Sequence, residues 1–140
     1  MPAFPTGGPE AEQLPRVLVV EDDPDVLRIL TSLLASYPRA STVETAVDGY
    51  EALIKVGTFR PSLLILDVVM PKLDGVEVCR RLRANPGTRH IKIVAITGRT
   101  DLVKEVLAAG ADACLTKPFN FDRMDKELER FLPAADPGDL

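Results

Sequence analysis

The chain has 140 residues, 46% of them hydrophobic and 27% charged, which fits one soluble domain with its own core and leaves no apolar run of the ~20 residues a membrane span needs. No basic stretch followed by an apolar one opens the sequence, so no secretory signal is visible and a cytoplasmic protein is expected, with Cys79 and Cys114 far apart, outside any C-x-x-C, and reduced. The net charge of -4 lies outside the body: all 17 Lys and Arg fall between Arg16 and Arg130 with 17 of the 21 acids, while Glu10, Glu12, Asp136 and Asp139 carry the excess, so net charge argues neither for nor against nucleic-acid or membrane partners.

Residues 1–15, rich in Pro and Gly and without apolar periodicity, read as a disordered leader; 133–140 read as a disordered tail. Between them, 16–132 alternate short apolar runs with helical patterns. A first strand is expected at 17–20, stopping at acids. A helix follows over 25–36, with Asp23 as its N-cap and Pro24 at its first position. Residues 42–47 alternate and are β-branched, and Asp48-Gly49 breaks the chain before a short helix at 50–56. The all-apolar run 63–66 stops at Asp67; a loop with Met70-Pro71 and Asp74-Gly75 leads to a helix through Arg83, which Asn85-Pro86-Gly87 ends. A buried strand is expected at 91–96, a helix at 101–109 stopping at Gly110, a strand at 113–116 and a last helix at 121–132.

Five β-then-α units, with the first, third and fourth strands apolar on both faces, predict a parallel sheet covered on each side: an α/β three-layer sandwich of the flavodoxin-like (βα)5 kind, strand order 2-1-3-4-5. The second strand, the most polar, suits an edge. Sites in such sheets form beyond the carboxyl ends of the strands. There the sequence has Glu21, Asp22 and Asp23, then Asp67, Thr97 and Lys117-Pro118. Crowded carboxylates either raise a pKa or bind a cation, and a hard divalent ion such as Mg²⁺ suits oxygen ligands. A lysine and a hydroxyl beside them complete a set suited to a phosphoryl group, and a central carboxylate, Asp67, can itself be the nucleophile.

The blocks VLVVEDDPDVLRIL, LLILDVVMPKLDG, IVAITG and GADACLTKPF, in this order, resemble the receiver domain of bacterial two-component response regulators, the chemotaxis-regulator-like family. The resemblance spans about 16–132. It implies that Asp67 is the phosphoacceptor and a ligand of Mg²⁺ (or Mn²⁺), that Asp22 binds the metal directly and Glu21 through water, and that the backbone carbonyl of Val69 completes the protein's ligands. It further implies that Thr97 is the switch hydroxyl, that Lys117 pairs with the phosphoryl group, and that Lys117-Pro118 is cis. The implied donor is a histidine kinase or a histidine phosphotransfer protein; the implied output is a conformational change read by a downstream protein through the helix 4, strand 5 and helix 5 face. No direct nucleic-acid contact, no membrane insertion and no enzyme activity beyond self-catalysed phosphoryl acceptance and autodephosphorylation are expected. Where the family usually has Tyr or Phe, three residues before the lysine, this chain has Cys114, so no ring is available to report the switch.

Plainer roles are expected elsewhere. Asp74 forms a turn before Gly75. Arg80, Arg81, Arg83 and Arg89 form a solvated cationic helix end. His90 is a loop residue, and Cys114 packs inertly in a buried strand. The alternatives are a receiver fold that no longer switches, or a receiver fragment of a larger regulator with an output domain. A hydrolase of small phosphorylated substrates is disfavoured, because no inserted segment is available to enclose a substrate.

Overall fold

The computed structural model describes residues 14–133; the leader and tail expected at 1–15 and 133–140 fall almost wholly outside the described residues. In chain order the elements are β1 (Arg16–Val20), α1 (Pro24–Ser36), β2 (Thr42–Ala46), α2 (Gly49–Phe59), β3 (Leu63–Asp67), α3 (Gly75–Ala84), β4 (Lys92–Thr97), a 3₁₀ turn (Thr100–Leu102), α4 (Val103–Ala108), β5 (Ala113–Thr116) and α5 (Phe121–Phe131). All strand pairs are parallel and the order is β2-β1-β3-β4-β5, as expected.

Alternation along the strands sends side chains to two separate cores. Leu18, Val20, Leu64, Leu66, Ile93 and Ala95 meet Ala52 and Val56 of α2, Val76, Cys79 and Leu82 of α3 and Val106 of α4. Val17, Val19, Ile65, Val94, Ile96 and Leu115 meet Leu30 and Leu34 of α1 and Met124 and Leu128 of α5. Apart from Arg16 and Lys92 at their first positions, both faces of β1, β3 and β4 are therefore buried. On the edge strand β2, Lys55 Nζ donates to the carbonyl of Thr45, placing a cation against the strand. Among the described residues no helix is long and apolar enough to cross a membrane.

Helix starts follow side-chain chemistry. Asp23 accepts from the backbone of Asp25 (2.9 Å) and Val26 (3.4 Å), with Pro24 opening α1. Asp48 accepts from Glu51 N (2.8 Å) while Glu51 Oε1 accepts from Val47 N (2.8 Å), a reciprocal cap. That bond takes Val47 out of β2, where the alternation had extended the strand. Asp74 caps α3 through Glu77 N (2.9 Å).

Other boundaries moved for local reasons. α2 runs to Phe59 rather than to 56 and ends on Arg60 in the left-handed region (φ 55°). Ile91 is buried, but its N–H still closes the preceding turn on Thr88 O (3.1 Å), so β4 begins at Lys92. The helix expected from 101 starts as a 3₁₀ turn that no side chain caps.

Two expectations need correcting. Arg83 is not part of a solvated helix end. Its guanidinium donates to the carbonyls of Gly110 (2.9 Å), Arg89 (2.9 Å) and Ile91 (2.6 Å) and to Asp112 Oδ2 (3.0 Å), which also accepts from Ile93 N (2.8 Å). Gly110, at φ 120°, leaves the space that Arg83 fills. Cys114 is only half-buried, because β5 is the outer strand on that side; it packs beside the core that holds Cys79, and burial raises its thiol pKa. His90 lies exposed in the α3–β4 turn.

Candidate functional site at the carboxyl ends of the strands

The strand ends are held by backbone bonds before any side chain acts. Glu21 N donates to Ala46 O (3.0 Å), Val68 N to Ile96 O (2.9 Å), Gly75 N to Val68 O (2.8 Å) and Lys117 N to Thr97 O (2.8 Å). These fix the residues after β1, β3 and β5 in one row. Gly75 is required for this: an added Cβ would stand 2.7 Å from Val68 Cα and 2.9 Å from Asp67 O, so the start of α3 packs directly on the backbone that carries Asp67.

Glu21, Asp22 and Asp67 each offer a carboxylate oxygen within 4.8 Å of the others. Glu21 and Asp67 are buried, at 1% and 4% exposure, whereas Asp22 is exposed. Lys117 Nζ donates to Glu21 Oε1 (3.1 Å) and Asp67 Oδ2 (3.3 Å). Asp67 Oδ1 accepts from Val69 N (3.2 Å), and Glu21 Oε2 accepts from Asp23 N (3.1 Å). Among the described residues the Asp22 carboxylate has no hydrogen-bond partner. The Lys117–Pro118 bond is cis, as the resemblance implied.

Electrostatics follow from this packing. Burial lifts the Glu21 carboxyl to about 7; the Asp23 N–H opposes the rise and Asp67 adds to it. Burial draws the Lys117 ammonium down, but the charges of Asp67 and Glu21 outweigh it and the net shift is upward. Three carboxylates against one ammonium leave two negative charges when all are ionised. Hard oxygen donors, a net dianion and one carboxylate without a partner fit a divalent cation of the Mg²⁺ class.

Thr97 is fully buried at the end of β4, where it pairs in register with Thr116. Its hydroxyl is already engaged: Oγ1 accepts from Arg99 N (3.0 Å) and donates to Arg99 O (3.4 Å). The structure thus gathers Glu21, Asp22, Asp67 and Lys117 into direct reach, while Thr97 lies on the same rim with its side chain turned to the loop behind it. Asp23 and Asp74 serve as helix caps. The contributions of the Asp23 and Val69 N–H groups and of Gly75 packing were not read from the sequence; only the Asp74-Gly75 turn signal pointed at the last of these.

A family described as the response regulator receiver domain matches residues 17–129. The chain is 44% identical over 108 residues to the DNA-binding response regulator MtrA of Mycolicibacterium smegmatis, covering 74% of this chain and 44% of that protein. It spans about half the length of the curated relatives it matches. Chemotaxis response regulator CheY4 of Vibrio cholerae superposes with a TM-score of 0.77 at 33% identity, covering 86% of this chain and all of that one. Response regulator Rcp1, solved in a Mn(2+)-bound form, superposes with a TM-score of 0.74 at 25% identity, covering 87% of this chain and 96% of that one.

Proposed function

The chain belongs to the response regulator receiver domain family, and from that premise we propose that it is a phosphorylation-dependent switch whose acceptor is Asp67. The observation that carries this reading is the placement of Lys117 Nζ against Asp67 Oδ2 (3.3 Å), with Glu21 and Asp22 completing an acidic cluster. In the proposed reaction an Asp67 carboxylate oxygen attacks the phosphorus of a phosphohistidine. One P–O bond forms, the P–N bond breaks, and the leaving imidazole takes up a proton. Lys117 then neutralises a phosphoryl oxygen from its present position. Asp22 and Asp67, the Val69 carbonyl and, through water, Glu21 are the groups that would hold Mg²⁺ (or Mn²⁺). When bound, the ion supplies charge neutralisation on the phosphoryl oxygens.

Thr97 would exchange its hydrogen bond to Arg99 O for one to the new phosphoryl group, and freeing that carbonyl releases the loop ahead of α4. Cys114 leaves no ring to follow that motion, so the loop and α4 themselves carry the signal to a downstream protein. The donor is a histidine kinase or a histidine phosphotransfer protein, in the cytoplasm. No enzymatic turnover is assigned beyond self-catalysed phosphoryl acceptance and loss. Residues 16–132 form the receiver and touch no nucleic acid directly; the name of MtrA refers to a protein of which this chain spans 44%.

Intact mass after treatment with acetyl phosphate and Mg²⁺ tests the proposal. One added phosphoryl group is expected, absent in Asp67→Asn and without added metal. An unchanged mass in the wild type, or the same gain in Asp67→Asn, overturns it.

A further inference from the structure

The opposite end of the sheet holds a cavity of about 630 Å³, bounded by the start of β1, the α2–β3 turn and the α3–β4 turn. β1 separates it from the acidic cluster by roughly 17 Å, five residues at ~3.3 Å each. Buried Val56 and Ile91 form an apolar wall, and Arg16, Arg60 and His90 complete the lining, Arg16 half-buried and Arg60 and His90 exposed at its rim. No acidic residue lines it. The volume lies in the range of small-ligand sites.

Arg60 is the feature that calls for an explanation. It ends α2 at φ 55°, where glycine is the favoured residue and a side chain costs on the order of 1 kcal/mol. Its carbonyl accepts from Arg16 Nε (2.9 Å), which ties the two arginines together at the cavity mouth. Among the described residues the Arg60 guanidinium has no hydrogen bond or ion pair, and the Arg16 guanidinium has none beyond that one. A guanidinium kept at a position that strains it, beside a second with free N–H groups and an imidazole, is a donor set for an oxyanion, which arginine forks grip in bidentate fashion.

We propose that this cavity is an oxyanion site, taking a carboxylate or phosphate group between Arg16, Arg60 and His90. Two sources share that chemistry. One is a small phosphate-bearing molecule. The other is the chain itself: Glu10 and Glu12 precede Arg16 in sequence, and the four residues from Glu12 span up to ~14 Å when extended.

His90 is the only histidine, so its imidazole NMR signals report the cavity without assignment work. The probe is inorganic phosphate, added to the full chain at fixed pH and fixed ionic strength. A saturable shift of the His90 signals is expected. Arg60→Gly, which relieves the backbone strain, and Arg16→Gln should each raise the midpoint by about fivefold or more, the loss of roughly 1 kcal/mol. Asp67→Asn should leave it unchanged. Substituting Glu10→Gln with Glu12→Gln separates the sources. A lower midpoint identifies the chain's own carboxylates as the resident oxyanion, and an unchanged one identifies a free ligand. A shift that never saturates, one indifferent to both arginine substitutions, or one that Asp67→Asn abolishes overturns the proposal.

Discussion

At the N-terminal edge of the sheet Arg83 meets Asp112; at the carboxyl edge Lys117 meets Glu21 and Asp67. Both are partly buried clusters in which a cation joins elements distant in sequence. They differ in how completely their charges and lone pairs are met. Arg83 and Asp112 are matched in charge, and together they satisfy three carbonyls and the Ile93 N–H. At the other edge three carboxylates face one ammonium and a buried glutamate is held near neutrality. The first arrangement stabilises the fold. The second stores repulsion that a ligand can relieve, as sites evolved for binding do. The difference is testable because substitutions at the two edges should move stability in opposite directions.

The largest effect is expected from Arg83→Ala. It leaves three carbonyls and Asp112 without their partner, a loss of about 3 kcal/mol for a pair only part-shielded from water. Urea denaturation measures it. Mn²⁺ affinity of the folded variant, followed by electron paramagnetic resonance, should match the wild type. A large loss of affinity would mean that the two edges are not independent.

Glu21→Gln should act in the other direction and only over a defined pH range. The folded Glu21 carboxyl sits at about 7 against 4.5 in an unperturbed chain. Between those values the folded protein keeps a proton that the unfolded chain has released, so this group's contribution falls as pH rises through the interval. The gross effect is about 3 kcal/mol at most. The metal-free wild type should therefore lose stability from pH 5 to pH 7, and Glu21→Gln should flatten that slope. Saturating Mg²⁺ should restore the wild type at pH 7, by about 2.7 kcal/mol at a hundredfold excess over Kd, and should do nothing for Asp22→Asn. A wild-type urea midpoint that rises over this range would show that Glu21 is not the strained member.

Gly75→Ala crosses the comparison, since it touches stability and site together. The added Cβ has no room against Val68 Cα and Asp67 O, and displacing that backbone should cost about 2 kcal/mol. Unlike Arg83→Ala, it should also weaken Mn²⁺ binding, because the strand end carrying Asp67 must move. Loss of stability with unchanged Mn²⁺ affinity would show that α3 yields instead.

The acidic edge was legible in the sequence and the basic edge was not, for a physical reason. Continuous apolar strands that each stop at a polar residue announce both the parallel sheet and the row of groups at its carboxyl edge, so Glu21, Asp22, Asp67 and Lys117 could be placed together once the known strand order of the flavodoxin-like fold was assumed. Arg83 and Asp112 are 29 residues apart. In the sequence Arg83 is one of several cations at a helix end, where the helix dipole already accounts for it. Only the packing of α3 against the α4–β5 turn turns its side chain inward. Thr97 shows the same limit on a smaller scale. Its place on the rim followed from the end of β4, but its two bonds to Arg99 depend on the path of the following loop, which strand periodicity does not encode.

The smallest expected effect concerns Lys72, the other non-glycine residue with positive φ among the described residues. Arg60 (φ 55°) lies at the basic edge and Lys72 (φ 70°) in the β3–α3 loop at the acidic edge. At Lys72 the strain has a visible partner, since Nζ reaches Asp48 Oδ2 at 3.4 Å. With the lysine largely exposed, that contact is worth a few tenths of a kcal/mol, less than the ~1 kcal/mol cost of the left-handed backbone. Lys72→Gly should therefore change stability by no more than a few tenths of a kcal/mol, because the extra chain entropy of glycine offsets most of the relieved strain. Urea midpoints of Lys72→Gly and of Lys72→Met separate the two contributions, because methionine removes the charge and keeps the backbone strain. If Lys72→Gly destabilises while Lys72→Met does not, the loop draws its conformation from the lysine backbone rather than from its ion pair.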